Sequence, residues 1–299
     1  MASIILPTHR WTPAAEIVVD TLRDDDELLV VCDSHEDPVV DDAPSRATVV
    51  TAGEPVGCSG KANALATGME RASDEIVVWT DDDVSREDGW LERLVTHARE
   101  TGAATEVPVF VGGGLWRLFE PAMVVLGTSG TASGNYVWGG GVAFDRTELD
   151  ESALLADLRR TVGDDTLLST YVDDVWVDTD HVRPVHVDGS PEGVYNRIAR
   201  FGKTSAFFEP VQTGVLFAIS LVFVVVTLVF PLLAALGSTL VGIAAYRKLE
   251  LERPSVLLTF PSFLFVPLFL AVGVAAPTFR WGGRTYRWEK KFDVIVVDS

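Results

Sequence analysis

Short apolar runs rich in β-branched residues punctuate the first half of the chain, each closed by a proline or a polar residue. Ser3–Pro7 (SIILP) reads as a first strand stopped by proline, and Glu27–Cys32 as a second that ends at Asp33. Thr48–Thr51 is a third, and Glu75–Thr80 (EIVVWT) is a buried-strand pattern that runs straight into Asp81, Asp82 and Asp83. Helical patterns lie between these strands. One covers Pro13–Leu22, with proline in a first turn; another follows the Gly57–Gly60 loop and carries Ala64, Leu65 and Met69; a third runs from Gly89 to about Glu100. Strands and helices alternating through short joints predict an α/β domain with a mostly parallel sheet and right-handed crossovers. After Gly102 the pattern becomes irregular. Leu115, Trp116, Phe119, Met123 and Leu126 fall at near-helical spacing, which reads as a core stripe or as a helix at a lipid interface.

Hydropathy changes abruptly in the second half. Residues 211–245 and 254–277 are almost uninterrupted apolar sequence, and a helix needs about 20 such residues to cross hydrocarbon. The second stretch fits one span. The first is longer and is broken by Pro231 and Gly237, so it is either one long tilted helix or a span followed by an in-plane piece. The predicted organisation is therefore a cytoplasmic α/β domain over 1–206, a membrane domain over 207–279 with about two spans near 211–236 and 254–277, and a cytoplasmic tail of basic and acidic residues over 280–299. No apolar targeting core opens the chain. Arg197, Arg200 and Lys203 precede the first apolar stretch and Arg280, Arg284, Arg287, Lys290 and Lys291 follow the second, which favours a multi-pass protein of the cell membrane with both ends inside.

Composition narrows the partners. With 43 Asp and Glu against 24 Lys and Arg, the formal charge is −19, which argues against nucleic acid. Lysine occurs only at positions 61, 203, 248, 290 and 291. Such a surface suits high intracellular salt and a halophilic archaeal source, because charge repulsion is screened there. Cys32 and Cys58 make no disulfide framework and fit a reducing compartment.

Candidate chemistry gathers at strand ends. Ligands of open α/β sheets bind outside the carboxyl ends of the strands, where Asp33, Asp81 and Asp83 fall. Asp81 and Asp83, two residues apart, can both face a hard cation, and Mg²⁺ is typically held by one or two carboxylates plus substrate phosphates. In so acidic a chain such a run can also be mere solvated surface. Position separates the cases: the triple at 24–26 precedes its strand, where a turn belongs, whereas the triple at 81–83 follows one.

Four motifs, PTHR after the first strand, VVCDSHED, SGKANALATG and WTDDDVSREDGWLERL, together resemble the family 2 glycosyltransferases of the GT-A fold. The resemblance implies that Thr8, Asp33, Lys61, Asp81 and Asp82 contact a nucleotide-diphosphate sugar, Asp33 at the base. It also implies that Asp83 holds Mg²⁺ or Mn²⁺ on the diphosphate. A plain surface lysine is the alternative for Lys61. GDDTLLSTYV (163–172) is similar to the family's acidic pair before a helix, which implies Asp165 as the base with Asp164 beside it; a helix N-cap is the other role open to such a residue. VWGGGVAFDRTEL (137–149) resembles the family's glycine-rich turn, with Gly140 where backbone approaches a sugar. YNRIARFGK (195–203) resembles Q/R-x-x-R-W, with Phe201 in place of Trp and with Arg197 and Arg200 suited to a diphosphate.

That last motif is typical of membrane-embedded members, among them the ceramide glucosyltransferase and dolichyl-phosphate glycosyltransferase branches, and WGGRTYRW (281–288) is loosely similar to the former branch's tail. The resemblance spans roughly residues 2–205. It implies inverting sugar transfer to a lipid-linked acceptor, a polyprenyl or dolichyl phosphate-linked glycan or a glycolipid, in protein N-glycosylation or glycolipid synthesis. A sugar nucleotidyltransferase is a second reading, but it leaves Asp165, Arg197 and Arg200 idle. A non-catalytic acidic membrane scaffold is a third, and it predicts scattered carboxylates.

Overall fold

The computed structural model describes residues 1–134 and 136–298. It divides into two compact units: Met1–Val107, Thr131–Arg183 and Gly282–Ser299 form the first, and Pro108–Gly130 and Pro184–Trp281 form the second.

The first unit is built on a mixed sheet. Strands β1 (Ser3–Pro7), β2 (Glu27–Cys32), β3 (Ala47–Thr51) and β4 (Ile76–Thr80) are parallel in the order β3-β2-β1-β4. The sheet continues through β6 (Gly141–Asp145), antiparallel to β4, then β5 (Ala103–Gly112) and β7 (Val175–Val187). This is the mostly parallel mixed sheet of the GT-A α/β fold. Ile4, Leu6, Leu28, Val30 and Val78 pack with Trp90 and Leu94 in one buried cluster. The helices are cut where their sequences say: Thr12 caps Pro13–Asp20 by accepting from Ala15 N at 3.1 Å, and Ser59 caps Gly60–Arg71 by accepting from Ala62 N at 3.1 Å. Gly68 lets the latter helix sit close on β1, because a Cβ there would meet Ile5 Cγ2 at 2.5 Å.

Two stretches differ from the sequence expectation. Residues after Gly102, expected to be irregular, form the ten-residue strand β5, in which Glu106 is fully buried. Its charge is met by Arg86 Nε at 3.0 Å and Arg183 Nε at 2.6 Å. Residues 280–299, expected as a separate tail, instead supply β9 (Arg284–Lys290) and β10 (Asp293–Asp298), an antiparallel hairpin of the first unit, while β8 (Phe279–Trp281) closes the second unit. Alternate residues of β9, Arg284, Tyr286 and Trp288, are buried, as a period-two strand requires.

The second unit is helical. The apolar stripe over 112–127 supplies the helix Trp116–Met123, and Trp116 packs with Val194 and Ile198 of the helix Pro191–Phe208. Helices Pro210–Val229 and Pro231–Lys248 follow, then a 3₁₀ turn at Pro254–Leu258 and the helix Thr259–Ala275. Glu209 (φ −134°, ψ 60°) and Phe230 (φ −130°, ψ 62°) break the chain in the same way, each before a proline, since proline drives its predecessor out of the α region. Two segments, Pro210–Val229 and Pro254–Ala275, are long and apolar enough to cross a membrane. Leu228, Leu232 and Leu233 beside the Phe230 break are 80%, 78% and 67% exposed. Glu120 is fully buried and takes Arg253 Nε at 2.6 Å and Nη2 at 2.9 Å.

Candidate active site

The rim at the carboxyl ends of β1, β2 and β4 carries the site. Because these strands are parallel their ends lie together, and antiparallel β6 brings its amino end to the same rim through the Thr80–Gly141 pair. Thr8 follows β1, Asp33 follows β2, Asp81–Asp83 follow β4, and Gly139 and Gly140 lead into β6. The Thr8 hydroxyl stands 2.5 Å from Asp82 Oδ2, and Thr12 Oγ1 donates to the Asp82 carbonyl at 2.7 Å. These contacts tie the aspartate loop to the loop after β1. Burial raises the Asp82 carboxyl above its ordinary range, against the opposing Thr8 hydrogen bond. Asp83 is exposed.

Lys61, in the first turn of Gly60–Arg71, is the junction of the site. Its Nζ lies 2.5 Å from Asp81 Oδ1 and 3.3 Å from Asp164 Oδ2, and it donates to the Gly139 carbonyl at 3.2 Å. It is therefore no surface lysine: its side chain is 17% exposed. Burial opposes its charge, but Asp164 and Asp81 outweigh this and raise its pKa. Asp164 is 4% exposed. Its carboxyl is pushed up to about 6, by burial first, with Asp165 and Asp81 adding to this and Lys61 opposing it. Asp165 is half-buried in the same helical turn, and its Oδ1 accepts from Thr166 N at 2.7 Å. The glycines are required here. A Cβ on Gly139 would stand 2.7 Å from Asp164 Oδ2, and one on Gly140 would stand 2.7 Å from Asp81 Oδ2 and collide with the Trp138 ring.

On the other side of the same helix start, Asp33 is 7% exposed. Asp37 holds the turn behind it by accepting from the amides of Asp33 and Ser34, both at 2.9 Å. Asp33 Oδ2 faces Arg284 Nη1 at 2.5 Å, and Arg284 Nη2 donates to Glu54 Oε2 at 2.8 Å. Tyr286 accepts at its hydroxyl from Gly60 N, 3.1 Å away. Arg284, Glu54, Tyr286 and Gly139 were not among the expected site residues. The alternation of RTYRW was the signal available for two of them.

Thr8, Asp33, Lys61, Asp81, Asp82, Asp83, Gly140, Asp164 and Asp165 thus belong to the first unit, and Lys61 links the aspartate loop to the acidic pair. Arg197, Arg200 and Phe201 belong to the second unit. There the Arg197 guanidinium lies 5.2 Å from the Phe110 ring centre, 5.7 Å from Trp116 and 5.6 Å from Phe201, and that of Arg200 lies 4.1 Å from Trp281. Both are cation–π distances. Among the described residues no group of three or more His, Cys, Asp or Glu is placed to hold a metal ion. A Mg²⁺ or Mn²⁺ ion that takes one or two carboxylates and completes its shell with phosphate oxygens and water fits a rim of this kind.

Residues 3–119 match the family model described as Glycosyl transferase family 2. No curated protein matches the chain. Among solved structures the chain is similar to glucosyl-3-phosphoglycerate synthase from Mycobacterium tuberculosis. In its complex with Mn²⁺, uridine diphosphate and glucosyl-3-phosphoglycerate the identity is 20%, over 70% of this chain and 77% of that one, with a TM-score of 0.42. In its complex with Mg²⁺ and uridine diphosphate the identity is 20%, over 70% and 76%, with a TM-score of 0.43. The match to family 2 glycosyltransferases thus lies in the amino-terminal part of the chain, which holds Thr8, Asp33, Lys61 and Asp81–Asp83.

Proposed function

We propose that the protein moves a sugar, with inversion, from a nucleotide-diphosphate donor to a lipid-linked acceptor at a membrane face. The observation that carries this reading is the Lys61 junction, which joins the loop of Asp81–Asp83 to the pair Asp164–Asp165. A scaffold with scattered carboxylates has no use for it, and a nucleotidyltransferase has no use for a base at Asp165.

In this reading Thr8, Asp33, Asp81 and Asp82 receive the donor, and Gly139 and Gly140 let backbone approach its sugar. Asp83 would hold Mg²⁺ or Mn²⁺, which supplies charge neutralisation at the leaving diphosphate. Asp165 takes the proton of an acceptor hydroxyl as that oxygen bonds to the anomeric carbon and the nucleoside diphosphate departs. Lys61 holds Asp164 and Asp81 at fixed spacing. Arg197 and Arg200 carry guanidinium forks suited to phosphate oxygens, and Phe201 offers a ring face. An acceptor that is itself a phosphate, already ionised, makes the Asp165 step less important.

The membrane reading rests on the second unit. Arg253 is bound to Glu120, so the chain that follows residues 210–248 is tied back to the helix Trp116–Met123. Lys203 donates to the Val274 carbonyl at 3.3 Å, which ties the end of the last apolar helix to the helix Pro191–Phe208. Helices Pro210–Val229 and Pro231–Lys248, about 30 and 27 Å long at 1.5 Å per residue, then form a bent apolar wedge with the exposed leucines at its tip. We propose this wedge as an alternative to two separate crossings at Pro210–Val229 and Pro254–Ala275, which are long and apolar enough for them. The catalytic unit stays on the cytoplasmic side, beside an acceptor that cannot leave the bilayer.

The test is nucleotide release by detergent-solubilised protein in high salt with Mn²⁺ or Mg²⁺, across UDP- and GDP-sugars, with membrane lipid extract as acceptor. Release that depends on lipid, and that is lost with EDTA, in Asp83→Ala and in Asp165→Ala, is expected. Release independent of lipid would sink the acceptor assignment, and no release from any donor would sink the function.

A further inference from the structure

Asp33 and Arg284 set a buried carboxylate and a buried guanidinium side by side at the rim, 2.5 Å apart. Burying both charges carries a desolvation cost that a structural tether does not need, and the pair is not saturated. Among the described residues Arg284 Nε is buried with no hydrogen-bond partner, and Asp33 Oδ2 receives charge from Arg284 without an aligned hydrogen bond. Orphaned buried polar atoms of this kind call for an explanation. The pair is also held from several directions. Glu54 fixes the other end of the guanidinium, Tyr286 anchors the same face of β9 on Gly60, and Trp288 is fully buried two residues further on. Gly60 leaves the room, since a Cβ there would stand 3.0 Å from Arg284 Nη1.

We propose that the carboxyl-terminal hairpin completes the nucleotide-base pocket and that Arg284, with Asp33, reads the base. An adjacent acceptor and donor match a lactam edge, a ring N–H beside a carbonyl. Asp33 accepts from the ring N–H, and Arg284 donates to the neighbouring carbonyl. Uracil and guanine present that edge; cytosine and adenine have no ring N–H on their pairing edge. Arg284 is in this sense a specificity residue contributed from the far end of the chain. The inference rests on the donor site proposed above.

The experiment is equilibrium binding of UDP, GDP, CDP and ADP with Mn²⁺ to the full-length protein, the Arg284→Ala, Arg284→Gln and Arg284→Lys variants, and Glu54→Gln. The wild type should bind UDP or GDP at least about tenfold tighter than CDP and ADP. Which of the two it prefers identifies the base. Arg284→Ala should lose about tenfold or more on the preferred nucleotide, the worth of one hydrogen bond to a charged group. It should also lose much of the discrimination against CDP and ADP. Arg284→Lys should fall between, and Glu54→Gln should weaken binding severalfold. If Arg284→Ala fails to fold, as judged by its thermal transition, the Gln and Lys variants decide. Unchanged affinity in the folded variants, or a wild type with no base preference, overturns the proposal. Tighter binding by Arg284→Ala also overturns it and makes the hairpin a plug. A wild type that binds none of the four sinks the donor site itself, whereas binding that ignores Arg284 sinks only this inference.

Discussion

Lys61 and Asp164 form a buried ion pair at 3.3 Å in which the carboxylate is held against its own preference. Burial and two neighbouring aspartates push Asp164 up to about 6, while Asp164 and Asp81 raise the pKa of Lys61 against its burial. An acid whose folded pKa lies above its unfolded value, about 3.9, binds protons more tightly when folded, so its ionisation lowers stability as pH rises between those values. Relative to Asp164→Asn, the wild type should therefore lose stability from about pH 4 to about pH 6 and no more above that. The full difference is on the order of 3 kcal/mol. Denaturation midpoints of both proteins across pH 4–8 in high salt check this, and a flat difference would contradict it.

Asp83 is exposed beyond the end of β4, so its substitution touches little packing. If it holds the cation on the donor diphosphate, Asp83→Ala should cut transfer by about 10²-fold or more, the scale of several kcal/mol of lost charge stabilisation. The fold and the melting temperature should stay as in the wild type. Mn²⁺ titration of activity should show a much weaker metal requirement in Asp83→Glu than in Asp83→Ala. Wild-type rates in Asp83→Ala would exclude the role.

Glu106 is fully buried between Arg86 and Arg183. Glu106→Ala leaves two buried guanidinium groups without this partner, and breaking such a site typically costs 3–5 kcal/mol. The variant should express poorly or melt at least about 10 °C lower, whereas Glu106→Gln, which keeps hydrogen-bond acceptance, should lose less. Thermal unfolding in detergent separates the two, and equal melting temperatures for all three proteins would refute the argument.

The same residue shows where the sequence stopped being legible. β1, β2 and β4 announce themselves because their apolar runs are local and Asp33 and Asp81 stand at their ends. β5 does not, because Glu106 and Pro108 interrupt its pattern and the charges that neutralise Glu106 come from Arg86 and Arg183, remote in the chain. β7 hides for a similar reason: its buried Asp178 is paired with Arg93 at 3.2 Å and His181 at 2.8 Å. The carboxyl-terminal hairpin carried a readable signal in the alternation of Arg284, Tyr286 and Trp288, but nothing in that period names Asp33 as the partner. In the long apolar stretch Pro231 breaks the helix and Gly237 does not, since only proline removes a backbone donor and clashes with the preceding turn.

The membrane topology gives the last prediction. Arg253 pairs with Glu120, and Glu250 lies three residues before it on an exposed turn with φ 53°. If residues 210–248 enter and leave by one face, Glu250 lies on the same side as Glu192, at the start of the helix Pro191–Phe208. Two crossings at 210–229 and 254–275 would put it on the opposite side. Cys32 and Cys58 are buried, so a single introduced cysteine reports cleanly to a membrane-impermeant maleimide. Glu250→Cys and Glu192→Cys should label from the same side of sealed vesicles, and Leu232→Cys should resist labelling until detergent is added. Labelling of Glu250→Cys from the face opposite to Glu192→Cys would support the two-crossing arrangement and remove the wedge.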